Sequence, residues 1–178
     1  GPFAAQQYLQ YLLDRSVDVA TVTAVPEGCD AAIWQYEHIR RFVVDLNQLT
    51  VRLAGACTPA SCPVMNATDE WQYLCAAHKT PRECCAIDYI VHTLDGTSAL
   101  LCLEKAFPSR VRIPAESLHY FQSIMRRLYR ILSHAFFHHR ELFAEFESNS
   151  RLCRRFVQFS KHFRLIARDQ LIIPDDAF

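Results

Sequence analysis

Cys57 and Cys62, a C-x4-C pair, and the close group His134, His138 and His139 are the side chains of this chain best suited to chemistry. Two thiolates and two imidazoles make up a donor set that zinc takes in closed tetrahedral sites. The rival reading is two core cysteines plus histidines that cluster on a helix. The two pairs lie much farther apart than in a zinc finger, so spacing alone does not separate these readings. At about 100° per residue, His134 and His138 lie some 40° apart on a helix, and His134 and His139 about 140°. Pairing His134 with His139 therefore asks for a local bulge or side chains that reach around the helix, and the geometry favours His138. Yet His139 stands in heptad register with Leu132 and Phe146. That position points inward, where an imidazole needs a partner, so both histidines stay open on this ground. Four protein donors leave no position for a reacting water, no H-E-x-x-H is present, and Glu141 has no evident general-base relation to His134. A structural site is favoured over a hydrolytic one.

Arg126, Arg127 and Arg130 precede the histidines at i, i+3 and i, i+4 spacings, so their guanidinium groups can converge on one side of a helix. Arginine forks bind phosphate oxygens bidentately, which suggests a phosphopeptide pocket. The alternative is a solvated helix face, and that reading is stronger for Arg151, Arg154 and Arg155. Cys75 and His78 resemble a thiol with its base but lack a third, orienting group, so packing is the simpler reading. Asp88 and His92 read as an ordinary helix pair.

The elements that must position these residues are set by apolar spacing. Ala4 to Leu13 reads as a helix, followed by a turn at Pro26-Glu27-Gly28. From Ala31 to Gly55, Ile33, Tyr36, Ile39, Val43, Leu46, Leu49 and Leu53 recur every three or four residues, as in one long amphipathic helix. Between Gly55 and Glu83 helical period disappears around Pro59, Pro63 and Pro81, with Trp71 to Cys75 as a short strand candidate. A metal ion pinning this loop to a helix would replace the missing apolar contacts. Ala86 to Leu103 is helical again, and Phe107 to Pro114 is an irregular link. Leu118, Phe121, Met125, Leu128, Leu132, Ala135, Leu142 and Phe146 predict one helix of about eight turns over Glu116 to Phe146. Leu152 to Leu165 predicts a last helix that ends before Pro174. The class is all-α, a helical bundle with one loop-rich insertion, forming a single domain over residues 3–178. Gly1-Pro2 reads as a protease-cleavage scar.

Composition removes other classes. Of 178 residues, 51% are hydrophobic, enough for a core, and 19 basic residues balance 19 acidic ones. No global field therefore draws in nucleic acid. The four glycines, at 1, 28, 55 and 96, compose no dinucleotide or P-loop motif. The longest apolar runs, such as Ala99 to Leu103, fall far below the roughly 20 residues of a transmembrane helix, and no signal sequence is expected. Eight cysteines with apolar neighbours suit reduced thiols and a cytoplasmic setting.

Several of these segments resemble the Mob family of kinase-linked adaptors. Ser61 to Met65, Phe107 to Ser109, Arg126 to Arg130 and Ser133 to His139 look like Mob motifs, whereas Trp34 to His38 and Leu74 to Pro81 look like its phocein branch. The similarity runs from about Gln6 to Pro174. It implies a helical bundle with a small β-hairpin, one structural zinc and no enzymatic activity. The family's ligand pattern maps onto Cys57, Cys62, His134 and His139, and its phosphopeptide pocket onto Arg126, Arg127 and Arg130. Positions that are acidic in the branch activating nuclear Dbf2-related kinases fall on Cys29, Ile33 and Arg41, so that contact surface is missing. The phocein branch implies an adaptor role in striatin-containing assemblies with protein phosphatase 2A and Ste20-like kinases, in the cytoplasm or at internal membranes through partners. A coactivator of nuclear Dbf2-related kinases is the alternative, and a zinc-dependent hydrolase a remoter one.

Overall fold

A computed structural model describes residues 1–177. Among the described residues, seven α-helices carry the fold: α1 (Ala4–Asp14), α2 (Val19–Thr23), α3 (Ala31–Leu53), α4 (Ala86–Leu101), α5 (His119–His138), α6 (Arg140–Ser150) and α7 (Leu152–His162). Helix α3 is central and packs against α1, α4, α5, α6 and α7. Its start is set locally. Gly28 takes a positive φ of 78° in the turn before it, a conformation that glycine adopts without Cβ strain. The Asp30 carboxylate then accepts from the Ala32 and Ile33 amides at 2.8 and 3.2 Å, satisfying donors that the first turn leaves free.

The side chains along α3 tie the other helices to it. Trp34 is fully buried and its Nε1 donates to the Thr23 carbonyl at 3.0 Å; the Tyr36 hydroxyl donates to the Leu101 carbonyl at 2.6 Å. Phe42 packs into the main core against Phe156 and, edge to face, against Phe159. Leu9, Leu12, Val22 and Trp34 form a smaller apolar cluster between α1, α2 and α3. Two buried carboxylates on α3 are paired: Asp45 with Arg155 at 2.8 Å and Glu37 with Arg110 at 2.5 and 2.8 Å. Arg155 therefore lies inside the molecule, and Arg151 donates to the Val17 carbonyl at 2.9 Å. These two arginines act as tethers rather than as a solvated patch.

Two expectations need correction. The helix expected over Glu116 to Phe146 is broken at His139, whose φ of −137° and ψ of 53° leave the helical region. The Nε of Arg140 donates to the Phe136 carbonyl at 2.9 Å, which offsets the helical hydrogen bond lost there. Buried positions in α6 are consequently Phe143 and Glu147, while Leu142 and Phe146 are only half-buried. The second correction concerns the β-hairpin. Among the described residues only two isolated antiparallel bridges form, Asn66 with Gln72 and Cys75 with Arg82. The 71–75 segment pairs with residues 65–67 at one end and switches to Arg82 at the other, so no ladder propagates. Pro81, which has no amide donor, stands beside the second bridge. No helix among the described residues is long and apolar enough to cross a membrane.

Candidate metal centre

Cys57 lies just past the end of α3. The last turn extends so that its amide donates to the Leu53 carbonyl at 2.7 Å, and the chain then makes a helical turn in which the Cys62 amide donates to the Thr58 carbonyl at 2.8 Å. Ser61 braces that turn: its hydroxyl donates to the Ala56 carbonyl at 2.6 Å and accepts from the Thr58 amide at 2.8 Å. Both thiols are thereby held on one side of the loop and both are buried. Helix α5 brings the imidazoles. The Nδ1 of His134 lies 2.7 Å from the Asn66 carbonyl, which assigns the ring proton to Nδ1 and leaves Nε2 as the lone-pair donor. That Nε2 is 3.5 Å from Cys57 Sγ, and His139 Nε2 is 3.5 Å from Cys62 Sγ. All four donor atoms lie within 4.8 Å of one another.

His138 stays outside this group. It is exposed and stacks on the His134 ring at a centroid distance of 4.6 Å. The break after α5 removes the angular objection to His139, because a residue off the helical path need not project about 140° from His134.

The geometry fits a zinc ion. Bonds of about 2.0–2.3 Å to a tetrahedral centre place neighbouring N and S donors about 3.5 Å apart, which is the spacing of both cysteine–histidine contacts. The electrostatics fit as well. Burial, reinforced by the neighbouring Cys62, pushes the Cys57 thiol up to about 12, and burial draws His134 down to about 4. The histidine is therefore held neutral, as a ligand must be, while a bound cation would favour ionisation of the Cys57 thiol. Two thiols and two imidazoles complete four-coordination without a water.

The expected arginine trio divides. Arg130 lies with its guanidinium 4.5 Å from the centroid of the Tyr73 ring, and it donates to the Tyr89 hydroxyl at 2.6 Å. Arg126 borders the same cleft, and on its other side faces a second cleft with Lys161, Arg164 and Arg168. Arg127 opens onto a different cleft beside His92.

Residues 4–174 match the profile of the Mob1/phocein family. The chain belongs to that family. Among Mob/phocein proteins it is 50% identical over 172 residues to MOB kinase activator-like 4 of Drosophila melanogaster, covering 96% of this chain and 77% of the relative. It is 48% identical over 170 residues to MOB-like protein phocein of Caenorhabditis elegans, covering 95% and 76%. The maintenance of ploidy protein mob1 of Schizosaccharomyces pombe is 30% identical over 172 residues, covering 92% and 81%. The structure of this Mob/phocein chain also gathers Cys75, His78, Cys84 and His92, a group that sequence reasoning missed by reading Cys75 with His78 alone, pairing His92 with Asp88 and leaving Cys84 among the core thiols. The signal available was the Cys75-x2-His78 spacing with Cys84 and His92 close behind.

Proposed function

We propose that this chain is a non-catalytic adaptor whose single domain, residues 3–178, is locked by a structural zinc at Cys57, Cys62, His134 and His139. It serves as a subunit of cytoplasmic striatin-containing assemblies that also hold protein phosphatase 2A and Ste20-like kinases. The observation carrying this reading is the likeness to the phocein-named relative, 48% identical over 95% of this chain, against 30% to the yeast mob1 protein. The donor set supports a structural ion, since four protein ligands leave no site for an activated water. Arg126 and Arg130, sharing a cleft walled by Trp71 and Tyr73, supply the chemistry for a phosphorylated partner segment, while Arg127, the third arginine of the trio, contributes from the neighbouring cleft.

The second reading, a coactivator of nuclear Dbf2-related kinases, is favoured by the words kinase activator-like in the name of the fly relative. Arg41 speaks against it: where that class carries acid, this arginine pairs with Asp45 at 3.1 Å and hydrogen-bonds Gln10. Size-exclusion chromatography of the purified chain, mixed separately with a striatin-family scaffold and with the amino-terminal region of a nuclear Dbf2-related kinase, distinguishes the readings. A stable complex with the scaffold alone is expected. Co-elution with the kinase alone would replace the proposal with the second reading.

A further inference from the structure

We propose that Cys75, His78, Cys84 and His92 form a second structural zinc site, independent of the first centre. Cys75 Sγ is 3.6 Å from His92 Nδ1, Cys84 Sγ is 3.8 Å from the same nitrogen, and His78 Nε2 is 3.1 Å from Cys84 Sγ. All four donor atoms lie within 4.8 Å of one another. Neighbouring donors on a tetrahedral zinc are separated by about 3.3–3.8 Å, so the group needs only small adjustments to close on an ion. The two imidazoles meet edge to face at 4.9 Å with an interplanar angle of 83°, presenting their nitrogens from different directions.

The local fold explains why such a site is needed. Cys75 and Arg82 exchange two backbone hydrogen bonds, at 2.7 and 3.1 Å, which close the intervening loop and carry Cys84 back to Cys75. Cys84 lies just before α4, and His92 projects from the second turn of that helix. From residue 76 to 85, Cys84 is the only buried side chain. The loop therefore has no apolar anchor of its own, the condition in which a metal ion substitutes for a core. Cys75 and Cys84 are 2% and 7% exposed, and the two histidines are half-buried, so thiolates formed here would be shielded and neutralised by a bound dication. Two thiolates and two imidazoles select zinc over magnesium or calcium, which prefer oxygen donors. Four protein donors make the site closed, hence structural.

The test is zinc content by mass spectrometry of the purified, folded chain after dialysis, in the parent and in Cys84→Ser, His78→Gln and Cys57→Ser variants. The parent is expected to hold two zinc ions per chain. Cys84→Ser and His78→Gln should each hold one, and Cys57→Ser should keep the second ion. His78 is only half-buried, so its substitution opens no core and guards against a Cys84→Ser variant that fails to fold. Alkylation of the folded parent should label the exposed Cys102 at once, and Cys75 and Cys84 only after a chelator is added. One ion per parent chain, lost with Cys57→Ser and unchanged by Cys84→Ser and His78→Gln, would overturn the second site while leaving the first intact. A Cys75–Cys84 disulfide in protein prepared under reducing conditions would overturn it as well. One ion lost with Cys84→Ser and kept with Cys57→Ser would support it and remove the first.

Discussion

Adjacent in the chain, His138 and His139 part in space: His138 lies exposed against the ring of His134, and His139 turns its Nε2 toward Cys62. The difference is one backbone step, the departure of His139 from helical φ and ψ. If zinc closes this group, His139→Ala removes a ligand, and His138→Ala removes only an aromatic neighbour. Competition with a metallochromic chelator should show zinc affinity falling in His139→Ala by more than the roughly 10- to 100-fold typical of losing an outer partner. His138→Ala should stay within a few-fold of the parent, and equal losses in both would return the choice to His138. The cysteine pair was legible from its spacing, and the inward heptad position of His139 was legible too, although it left the choice against His138 open. The angle between the imidazoles was not, because an unbroken helix would put about 140° between His134 and His139.

At the scale of elements, that same break changes which side chains the next helix buries. Leu132, His139 and Phe146 keep heptad spacing straight through it, and neither proline nor glycine marks the place, so the pattern reads as one helix although the chain makes two. After the break burial moves one position along, to Phe143 and Glu147. Glu147 then has a role that apolar periodicity cannot reveal. Its carboxylate accepts from the Cys153 and Arg154 amides at 2.7 and 3.0 Å, capping α7 where Arg151, at a φ of 54°, turns the chain. Helices α1 and α3, set by strong apolar spacing, were legible to within a few residues, whereas α2, only five residues long, shows no period that could announce it. The 71–75 segment was not, because its backbone partners change midway along it. Glu147→Ala leaves two amides without acceptors and should cost about 1–3 kcal/mol, measured as a shift in the urea midpoint at unchanged slope. A cost below about 0.5 kcal/mol would mean that water replaces the carboxylate.

For the whole molecule, zero formal net charge means that recognition must come from where charges collect. Five basic groups border one region: Arg126 stands between the cleft of Arg130 and the cleft of Lys161, Arg164 and Arg168. Within it Arg130 is preorganised, stacked on Tyr73 and bonded to the Tyr89 hydroxyl, so little side-chain entropy is left to lose on binding. The rings of Tyr73 and Tyr89 lie 6.5 Å apart, two residues before Cys75 and three before His92 respectively, so a metal ion at those residues would stiffen the recognition surface as well as the loop. A phosphorylated segment should therefore bind more tightly than its unphosphorylated form, by roughly 10-fold or more if one bidentate arginine contact forms, since each such charge-assisted bond contributes about 1.5–3 kcal/mol. Calorimetric titration with both peptide forms checks this. Arg130→Ala should abolish the preference, Arg126→Ala should reduce it, and Arg127→Ala, which opens onto the other cleft, should affect it least. Equal binding of both forms to the parent and to Arg130→Ala would remove the phosphate-binding role and leave the arginines as supports for the Tyr73 and Tyr89 wall.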